Sequence, residues 1–172
     1  MRILVVSDTH NKEENLFKIF RNEQFDAVAF LGDVEHGEKD VRDYLEETHP
    51  GCPIRFVKGN CDTFADFDIS AVVNYNGVRI FMAHGHTFQV SFGREALAKE
   101  ALDQHCSYAF FGHLHLPIIE EVMGVTCFNP GSVSEPRNPD KRPTYGIMEI
   151  NSGKVTELRH YFIDELKDRA EE

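Results

Sequence analysis

Near the start of the chain the sequence reads Arg2-Ile3-Leu4-Val5-Val6-Ser7-Asp8-Thr9-His10, a continuous apolar run that leads directly into polar side chains. Such a run is typical of a strand that is buried on both faces. Two more apolar runs follow, and the segments between the runs carry apolar residues at helical spacing. The predicted order is strand 2–7, helix 12–22, strand 27–31, helix 37–48 and strand 54–57. This alternation predicts a βαβαβ unit with a parallel sheet.

The pattern changes after residue 62. Asn76-Gly77 separates two strand-like runs, which is a strong hairpin signal. The later predicted elements are strands 72–75 and 78–83, helix 94–105, strand 108–111, and antiparallel strands 118–122, 125–128, 145–150 and 155–163. We expect the last eight or so residues, which are charged, to fray. Because no repeat, linker or low-complexity segment interrupts the chain, we predict a single domain over residues 1–172.

The composition narrows the classes of function. Hydrophobic residues make up 41% of the 172 residues, which is ordinary for a globular protein, and the formal net charge is −11. This charge argues against binding of long nucleic acids and leaves a small phosphate-bearing substrate open. The sequence indicates neither a signal peptide nor a membrane span. Four scattered cysteines without a C-x-x-C pair predict reduced thiols, so we expect a cytoplasmic protein.

Two histidines follow the apolar run 108–111, in Gly112-His113-Leu114-His115. If that run is a strand, the side chains alternate and both imidazoles point to the same side at its end. Two neutral imidazoles that converge on one point are suitable ligands for a transition metal. The pair becomes informative only because other polar residues also follow predicted strands.

Seven such residues lie at the predicted strand ends, where α/β sheets bind their ligands. They are Asp8, His10, Asp33, Asn60, His84, His113 and His115. Seven nitrogen and oxygen donors are too many for one tetrahedral ion. They suit two metal ions that share a carboxylate, about 3.5–4 Å apart.

Several motifs in this order resemble those of the calcineurin-like metallophosphoesterase superfamily. They are Asp8-Thr9-His10, Gly32-Asp33, Gly59-Asn60, His84-Gly85-His86 and Gly112-His113-Leu114-His115. The short chain and Asn129-Pro130-Gly131-Ser132 resemble the small single-domain prokaryotic phosphodiesterase branch. The resemblance implies an α/β fold, a four-layer sandwich of two mixed β-sheets flanked by helices.

The resemblance also implies a ligand set and a reaction. It assigns Asp8, His10 and His115 to one ion, Asn60, His84 and His113 to the other, and Asp33 to both. The implied cofactors are two divalent ions, with manganese expected first and iron, zinc, cobalt or nickel as alternatives. The implied reaction is attack of a metal-bridging hydroxide on a small phosphodiester.

Cys61 departs from the family pattern. Many members have a histidine at this place, which contacts the phosphate and is a candidate proton donor to the leaving group, whereas a thiol is a weak donor. We therefore expect a phosphodiesterase rather than an efficient monoesterase. Asp33, Asn60 and His86 are the candidate catalytic residues, and Cys61 and Arg137 are candidate substrate contacts. Cys61 as a packing residue, His86 as a surface histidine and Arg137 as a solvated arginine stay open.

Three more residues near the motifs have two interpretations each. His36 either contacts a substrate or faces water. Asp62 orients Asn60 or a neighbouring loop. Ser132 either contacts the substrate or only tightens its own turn.

Two other functions compete with the phosphodiesterase. A non-catalytic scaffold, like the retromer subunit of this fold, is the first, and retention of all seven donors argues against it. A metallo-β-lactamase-like hydrolase is the second, and it fails because His84-Gly85-His86 is followed by Thr87-Phe88-Gln89 rather than by the Asp-His that it needs. The oligomeric state stays open, with a homo-oligomer as one alternative, since small members of the family often associate.

Overall fold

The apolar run near the start of the chain forms strand β1, Arg2–Val6, in the computed structural model, which describes residues 1–167. Its side chains alternate between two cores. Leu4 and Val6 belong to one buried cluster, and Ile3 and Val5 belong to another. Because both faces of this strand are buried, β1 lies inside a layered fold and not at its surface.

The first sheet is built around β1, which pairs in parallel with β2 and in antiparallel with β9. Its five strands have the order β10-β9-β1-β2-β3. The remaining strands of this sheet are β2 (Ala27–Phe30), β3 (Ile54–Phe56), β9 (Thr144–Asn151) and β10 (Lys154–Phe162). Two helices join the parallel strands, α1 (Glu14–Asn22) and α2 (Glu38–Thr48). The predicted βαβαβ unit is confirmed.

The second sheet has the order β4-β5-β6-β8-β7. Its strands are β4 (Ser70–Tyr75), β5 (Val78–Ala83), β6 (Tyr108–Phe110), β7 (Pro117–Val122) and β8 (Val125–Pro130). Asn76-Gly77 forms the predicted hairpin turn between β4 and β5. Strands β5, β6 and β8 pair in parallel, so this sheet is also mixed. Helix α3, Glu95–Asp103, lies against its outer face.

Three cores hold the layers together. One lies between the first sheet and the helices α1 and α2, the second lies between the two sheets, and the third lies between the second sheet and α3. Phe110 and Phe128 are fully buried in the core between the sheets, and each such ring contributes about 1.5–3 kcal/mol to folding. The expected four-layer sandwich of two mixed sheets flanked by helices is confirmed.

One expected detail is wrong. Strand β6 ends at Phe110, so His113 and His115 lie on the loop after it and not at alternate positions of a strand. Their φ angles of 67° and 57° are left-handed, far from the angles of a regular strand. The two imidazoles therefore share a site because the loop turns back on itself.

Other differences are small. Each helix begins one or two residues later than predicted, and two short 3₁₀ helices, His86–Phe88 and Ile163–Glu165, were not predicted. The expected fraying falls largely on 168–172, outside the described residues, and the single domain stays a prediction. None of the helices in residues 1–167 combines the length and the apolar character needed to span a bilayer.

Candidate metal centre

The seven candidate ligands come together at one edge of the two sheets. Each follows the carboxyl end of a strand, and these ends meet because the strands concerned run in the same direction within each sheet. The candidate ligands are Asp8 and His10 after β1, Asp33 after β2, Asn60 after β3, His84 after β5, and His113 and His115 after β6. The structure thus brings together every residue that the sequence placed in the metal set.

The loops that carry these ligands are conformationally unusual. Five of the seven ligands have positive φ, at 59° for Asp8, 48° for His10, 59° for Asp33, 67° for His113 and 57° for His115. A residue other than glycine rarely adopts this conformation, which costs of order 1–3 kcal/mol per residue. Such strain is concentrated at functional sites, where the surrounding structure holds each side chain in place.

Two motif glycines are required by close approach. A Cβ on Gly59 would lie 2.0 Å from Oδ1 of Asp33, and a Cβ on Gly112 would lie 2.1 Å from Oγ of Ser7. Any side chain at these positions would therefore push the adjacent ligand loop away. The glycines of these motifs let the loops pack directly against each other.

The first group of ligand atoms surrounds the carboxylate of Asp8. Its Oδ1 is buried and makes no hydrogen bond within the described residues. Nε2 of His115 lies 3.2 Å from this oxygen and Nε2 of His10 lies 3.8 Å from it, and the two nitrogens are 3.2 Å apart. Ligand atoms about 2.1 Å from one ion are separated by roughly 3 Å, so this spacing fits a shared cation.

The tautomers of three imidazoles follow from their hydrogen bonds. In each ring Nδ1 donates to an oxygen that can only accept, which leaves the lone pair of the neutral ring on Nε2. The acceptors are Oε1 of Glu35 for His10 at 2.8 Å, the backbone oxygen of Leu31 for His84 at 2.6 Å, and the backbone oxygen of Glu135 for His115 at 2.7 Å. Three lone pairs therefore point toward buried carboxylate oxygens, an arrangement that calls for a cation between them.

The second group surrounds the amide oxygen of Asn60. Nδ1 of His113 lies 2.9 Å from this oxygen and Nε2 of His84 lies 3.1 Å from it. Oδ2 of Asp33 is 3.3 Å from Nε2 of His84 and 3.7 Å from Nε2 of His10. Asp33 therefore stands between the two groups, where a carboxylate shared by two ions would lie.

Asp62 holds the loop of Asp33 in place. Its buried carboxylate accepts three backbone N–H groups, from Asp33 at 2.8 Å, Glu35 at 2.6 Å and Gly59 at 2.7 Å. The N–H of Cys61 in turn donates to Oδ1 of Asp33 at 2.8 Å, which leaves Oδ2 for the centre. Of the two roles considered for Asp62, orientation of a neighbouring loop is the one the contacts support.

The end of β8 and the turn after it hold two of the candidate ligand loops in place. The side-chain amide of Asn129 donates to the backbone oxygen of Gly112 at 2.7 Å, and its oxygen accepts the N–H of Gly131 at 2.9 Å. Oγ of Ser132 donates to the backbone oxygen of Asp8 at 2.8 Å. Ser132 is fully buried, so it tightens the turn and positions Asp8.

Neighbouring charges shift the pKa values of the carboxylate and imidazole groups in the centre. Burial acts to raise the pKa of Asp33, but the hydrogen bond and charge of His84 outweigh it and hold that pKa well below its usual range. Burial likewise acts to lower the pKa of His84 and of His115, but Asp33 and Asp8 outweigh it and raise both pKa values. Each carboxylate and the imidazole beside it thus shift each other's pKa in the direction that favours opposite charges.

Cys61 and His86 border the centre. Sγ of Cys61 accepts a hydrogen bond from the Asn60 amide at 3.3 Å, and burial, followed by the charge of Asp33, raises the pKa of this thiol to about 11. Cys61 is therefore a neutral thiol at physiological pH. The ring of His86 is 5.5 Å from that of His84 and 6.2 Å from that of His113, and burial lowers its pKa. Neither residue lies among the seven converging donors.

Arg137 lies at the outer edge of the centre. Its backbone N–H donates to the backbone oxygen of His115 at 3.0 Å, and its charge acts to lower the pKa of that histidine. The side chain is exposed, and within residues 1–167 it makes no hydrogen bond or ion pair. It is thus near the site and available to an anion.

Sequence reasoning missed Glu35. Its carboxylate accepts from Nδ1 of His10 and from the side-chain amide of Asn11 at 2.6 Å, so it fixes the ring of one candidate ligand. A lone carboxylate two residues after Asp33 carries no periodic signal, and its contact with His10 depends on a left-handed φ of 57°. Only the folded loop reveals it.

The donors fit a divalent metal. The chain contains Asp/His clusters whose ligand atoms lie within 4.8 Å of one another, namely Asp8 with His10 and His115, and Asp8 with Asp33 and His84. Imidazole, carboxylate and amide together suit first-row transition ions. The orphaned Oδ1 of Asp8 is the acceptor that such an ion would satisfy.

Comparisons with known proteins agree with this geometry. The chain is 31% identical over 171 residues to the phosphodiesterase YfcE of Escherichia coli, covering 87% of this chain and 88% of that protein. A conserved uncharacterized protein from Streptococcus pneumoniae has a crystal structure with a TM-score of 0.77 at 27% identity, covering 95% of this chain and 90% of that one.

A Vps29 variant from Entamoeba histolytica shares the fold, with a TM-score of 0.74 at 23% identity over 94% of this chain and 99% of that one. The model of the calcineurin-like phosphoesterase superfamily domain matches residues 1–153. Relatives of this chain are named as metallophosphoesterases or phosphodiesterases, which supports a phosphoester hydrolase, and the family implies dependence on a metal. The residues that match the family model include all seven converging donors. The chain belongs to the calcineurin-like phosphoesterase superfamily.

Proposed function

We propose that this chain is a dinuclear metal-dependent phosphodiesterase that hydrolyses a small phosphodiester. The observation that carries the proposal is the convergence of imidazole lone pairs on two buried carboxylates. Oδ1 of Asp8 has no hydrogen bond within the described residues, although Nε2 of His115 is only 3.2 Å away. A cation between these atoms removes the conflict.

In this proposal each ion takes three ligands of its own and shares Asp33. The first would be held by Asp8, His10 and His115, and the second by Asn60, His84 and His113. Manganese is expected first, with iron, zinc, cobalt or nickel as alternatives. Two divalent ions supply four positive charges, which bind phosphate oxygens and lower the pKa of water.

The carboxylates set the charge left for the substrate. Asp8 and Asp33 cancel two of the four positive charges, and the remaining excess attracts a phosphodiester monoanion. Asp33, which lies between the two ligand groups, and Asn60, which belongs to the second, would act as catalytic residues through the ions that they hold. The exposed guanidinium of Arg137 would bind a phosphate oxygen at the rim.

The supply of a proton to the leaving group affects whether the protein prefers diesters or monoesters. A poor alkoxide leaving group benefits from a general acid, whereas an aryl leaving group departs without a proton. Cys61 is a weak donor and would contact the substrate without protonating it. His86, a candidate catalytic residue, lies beside the candidate ligands His84 and His113, with ring centroids 5.5 Å and 6.2 Å away. We therefore expect diesters with good leaving groups to be preferred.

The test is a panel of phosphomonoesters and diesters, assayed with protein stripped of metal and then refilled with one metal at a time. Hydrolysis of an activated diester that disappears on stripping and returns with Mn²⁺ or a similar ion is the expected result. A protein that binds metal and hydrolyses none of the esters would favour the non-catalytic scaffold instead. The cytoplasmic location and the homo-oligomer stay predictions.

A further inference from the structure

An aromatic pair stands beside the centre. The rings of His36 and Phe64 are stacked, with centroids 6.0 Å apart and planes 23° apart. Phe64 is 87% exposed, and His36 is exposed as well. A single exposed phenylalanine needs no explanation. A stacked pair near a candidate active site does need an explanation when one of its rings is exposed. The exposed ring presents a flat surface to a molecule that binds in the site.

Both rings are carried by loops of the centre. His36 directly follows Glu35, whose carboxylate holds the imidazole of His10. Phe64 lies three residues after Cys61, whose N–H holds the carboxylate of Asp33. Ligand-type atoms of His10, Glu35 and Cys61 lie within 4.8 Å of one another, so the two loops meet at the centre itself. The aromatic pair is therefore carried by residues close in the chain to this meeting point.

The loop under Phe64 is fixed before any ligand arrives. The loop includes Asp62, whose carboxylate accepts three backbone N–H groups. Nζ of Lys58 donates to the backbone oxygen of Ala65 at 3.0 Å. The N–H of Thr63 donates to the backbone oxygen of Cys61 at 2.8 Å. The exposed ring therefore projects from a pinned turn, and stacking on it would cost little ordering.

We propose that Phe64, with His36 beside it, is a stacking platform for a planar ring on the substrate, so that the preferred diesters carry an aryl or nucleoside group. This inference rests on the proposed phosphodiesterase function and names the substrate class of that site. The charge of the surroundings agrees with it. The carboxylate residue Glu35 directly precedes His36 in the chain, and the chain carries a net charge of −11, which favours a neutral ring over additional phosphates.

The experiment measures competitive inhibition of bis(4-nitrophenyl) phosphate hydrolysis by diesters that are themselves hydrolysed slowly. The inhibitors share one ethyl ester group and differ in the other, which is ethyl, cyclohexyl, phenyl or thymidin-5′-yl. Because either ester group can take either side of the centre, the inhibition constants do not depend on which group leaves. The cyclohexyl arm separates stacking from simple apolar burial, and the phenyl and thymidinyl arms separate an aryl from a nucleoside ligand.

The wild-type protein should bind one or both planar-ring diesters roughly tenfold more tightly than the cyclohexyl diester, as expected for one stacked ring. Phe64→Ala should remove this preference, and Phe64→Trp should retain it. The matched control is Met123→Ala, which removes another exposed apolar side chain at the β7–β8 turn, at the far end of the second sheet. It should leave the preference unchanged, with equal metal content in all proteins.

Two failures are distinguishable. If the metal-loaded wild-type protein hydrolyses no diester, the proposed function itself is wrong. If it hydrolyses the reporter but binds planar and cyclohexyl diesters equally, or if Phe64→Ala keeps the planar preference of the wild type, the platform is refuted and the phosphodiesterase stands.

Discussion

Substitution of Asp62 by asparagine should loosen the centre without replacing any of the seven candidate ligands. The carboxylate accepts three backbone N–H groups, two of them at Oδ2 from Asp33 and Gly59, and one at Oδ1 from Glu35. An asparagine can keep its oxygen toward the pair. Its NH₂ group then faces the N–H of Glu35, where one donor meets another.

The magnitude follows from these three contacts. A hydrogen bond to a charged group contributes about 1.5–3 kcal/mol, and a neutral one about 0.5–1.5 kcal/mol. The substitution loses one charged bond and weakens two others to neutral ones, so the free energy of unfolding should fall by about 3–6 kcal/mol. This is a large part of the 5–15 kcal/mol of a typical domain, so the variant should unfold at a much lower urea concentration than the wild type.

The assay is urea unfolding of the metal-free protein together with measurement of metal affinity. Asp66→Asn is the matched control, because Asp66 lies on the same loop, is exposed, and makes no ion pair or side-chain hydrogen bond within the described residues. Metal affinity of Asp62→Asn should fall by 10- to 100-fold, the usual effect of removing a group that positions a ligand. Equal stability and equal metal affinity in Asp62→Asn and Asp66→Asn would refute the role given to Asp62.

Three further predictions concern the centre and its rim. Asp33→Asn removes a charge shared by both ions and should lower metal occupancy and activity more than about 100-fold. Arg137→Ala should lower them tenfold or less. Comparable losses in the two variants would mean that the shared ligand is misassigned. Cys61→His should raise kcat/KM for a monoester relative to a matched diester, by up to roughly 10²-fold, the low end of general acid catalysis. An unchanged ratio at equal metal content would exclude Cys61 as the determinant. Metal affinity should weaken as pH falls, beginning above the ordinary histidine pKa of about 6.5, because the raised pKa values of His84 and His115 let protons compete earlier. Titration calorimetry in two buffers should detect proton release, and a constant affinity between about pH 8 and 6 would contradict this competition.

The position of the centre could be predicted because it depends on strand direction alone. Apolar runs that end in Asp8, Asp33 and Asn60 are visible without any structure, and parallel strands bring such ends to one edge. The hairpin at Asn76-Gly77 could be predicted for an equally local reason, since few residue pairs other than these tolerate positive φ at both turn positions.

The loop conformations could not be predicted in the same way. Strand alternation was the wrong reason for the convergence of His113 and His115, because both adopt left-handed φ on a loop. That conformation is imposed by contacts distant in sequence, such as the amide of Asn129 on the backbone of Gly112. A residue-by-residue preference carries no record of such contacts.

The residues that support the candidate ligands were the hardest to predict from the sequence. Glu35 and Phe64 belong to no motif, and each acquires a partner only when the loops after β2 and β3 meet. Asp62 was considered in sequence as an orienting residue, but its three N–H partners come from two separate loops. Side chains that support a ligand are set by tertiary contacts, which a single sequence does not display.

The most direct test of the central claim is a titration of metal-stripped protein with Mn²⁺, in which bound ions per chain and hydrolysis of bis(4-nitrophenyl) phosphate are measured on the same samples. Two ligand groups that share Asp33 predict that activity rises until two ions are bound per chain and then stays constant. Full activity in the stripped protein, or saturation at a single bound ion, would contradict the dinuclear centre.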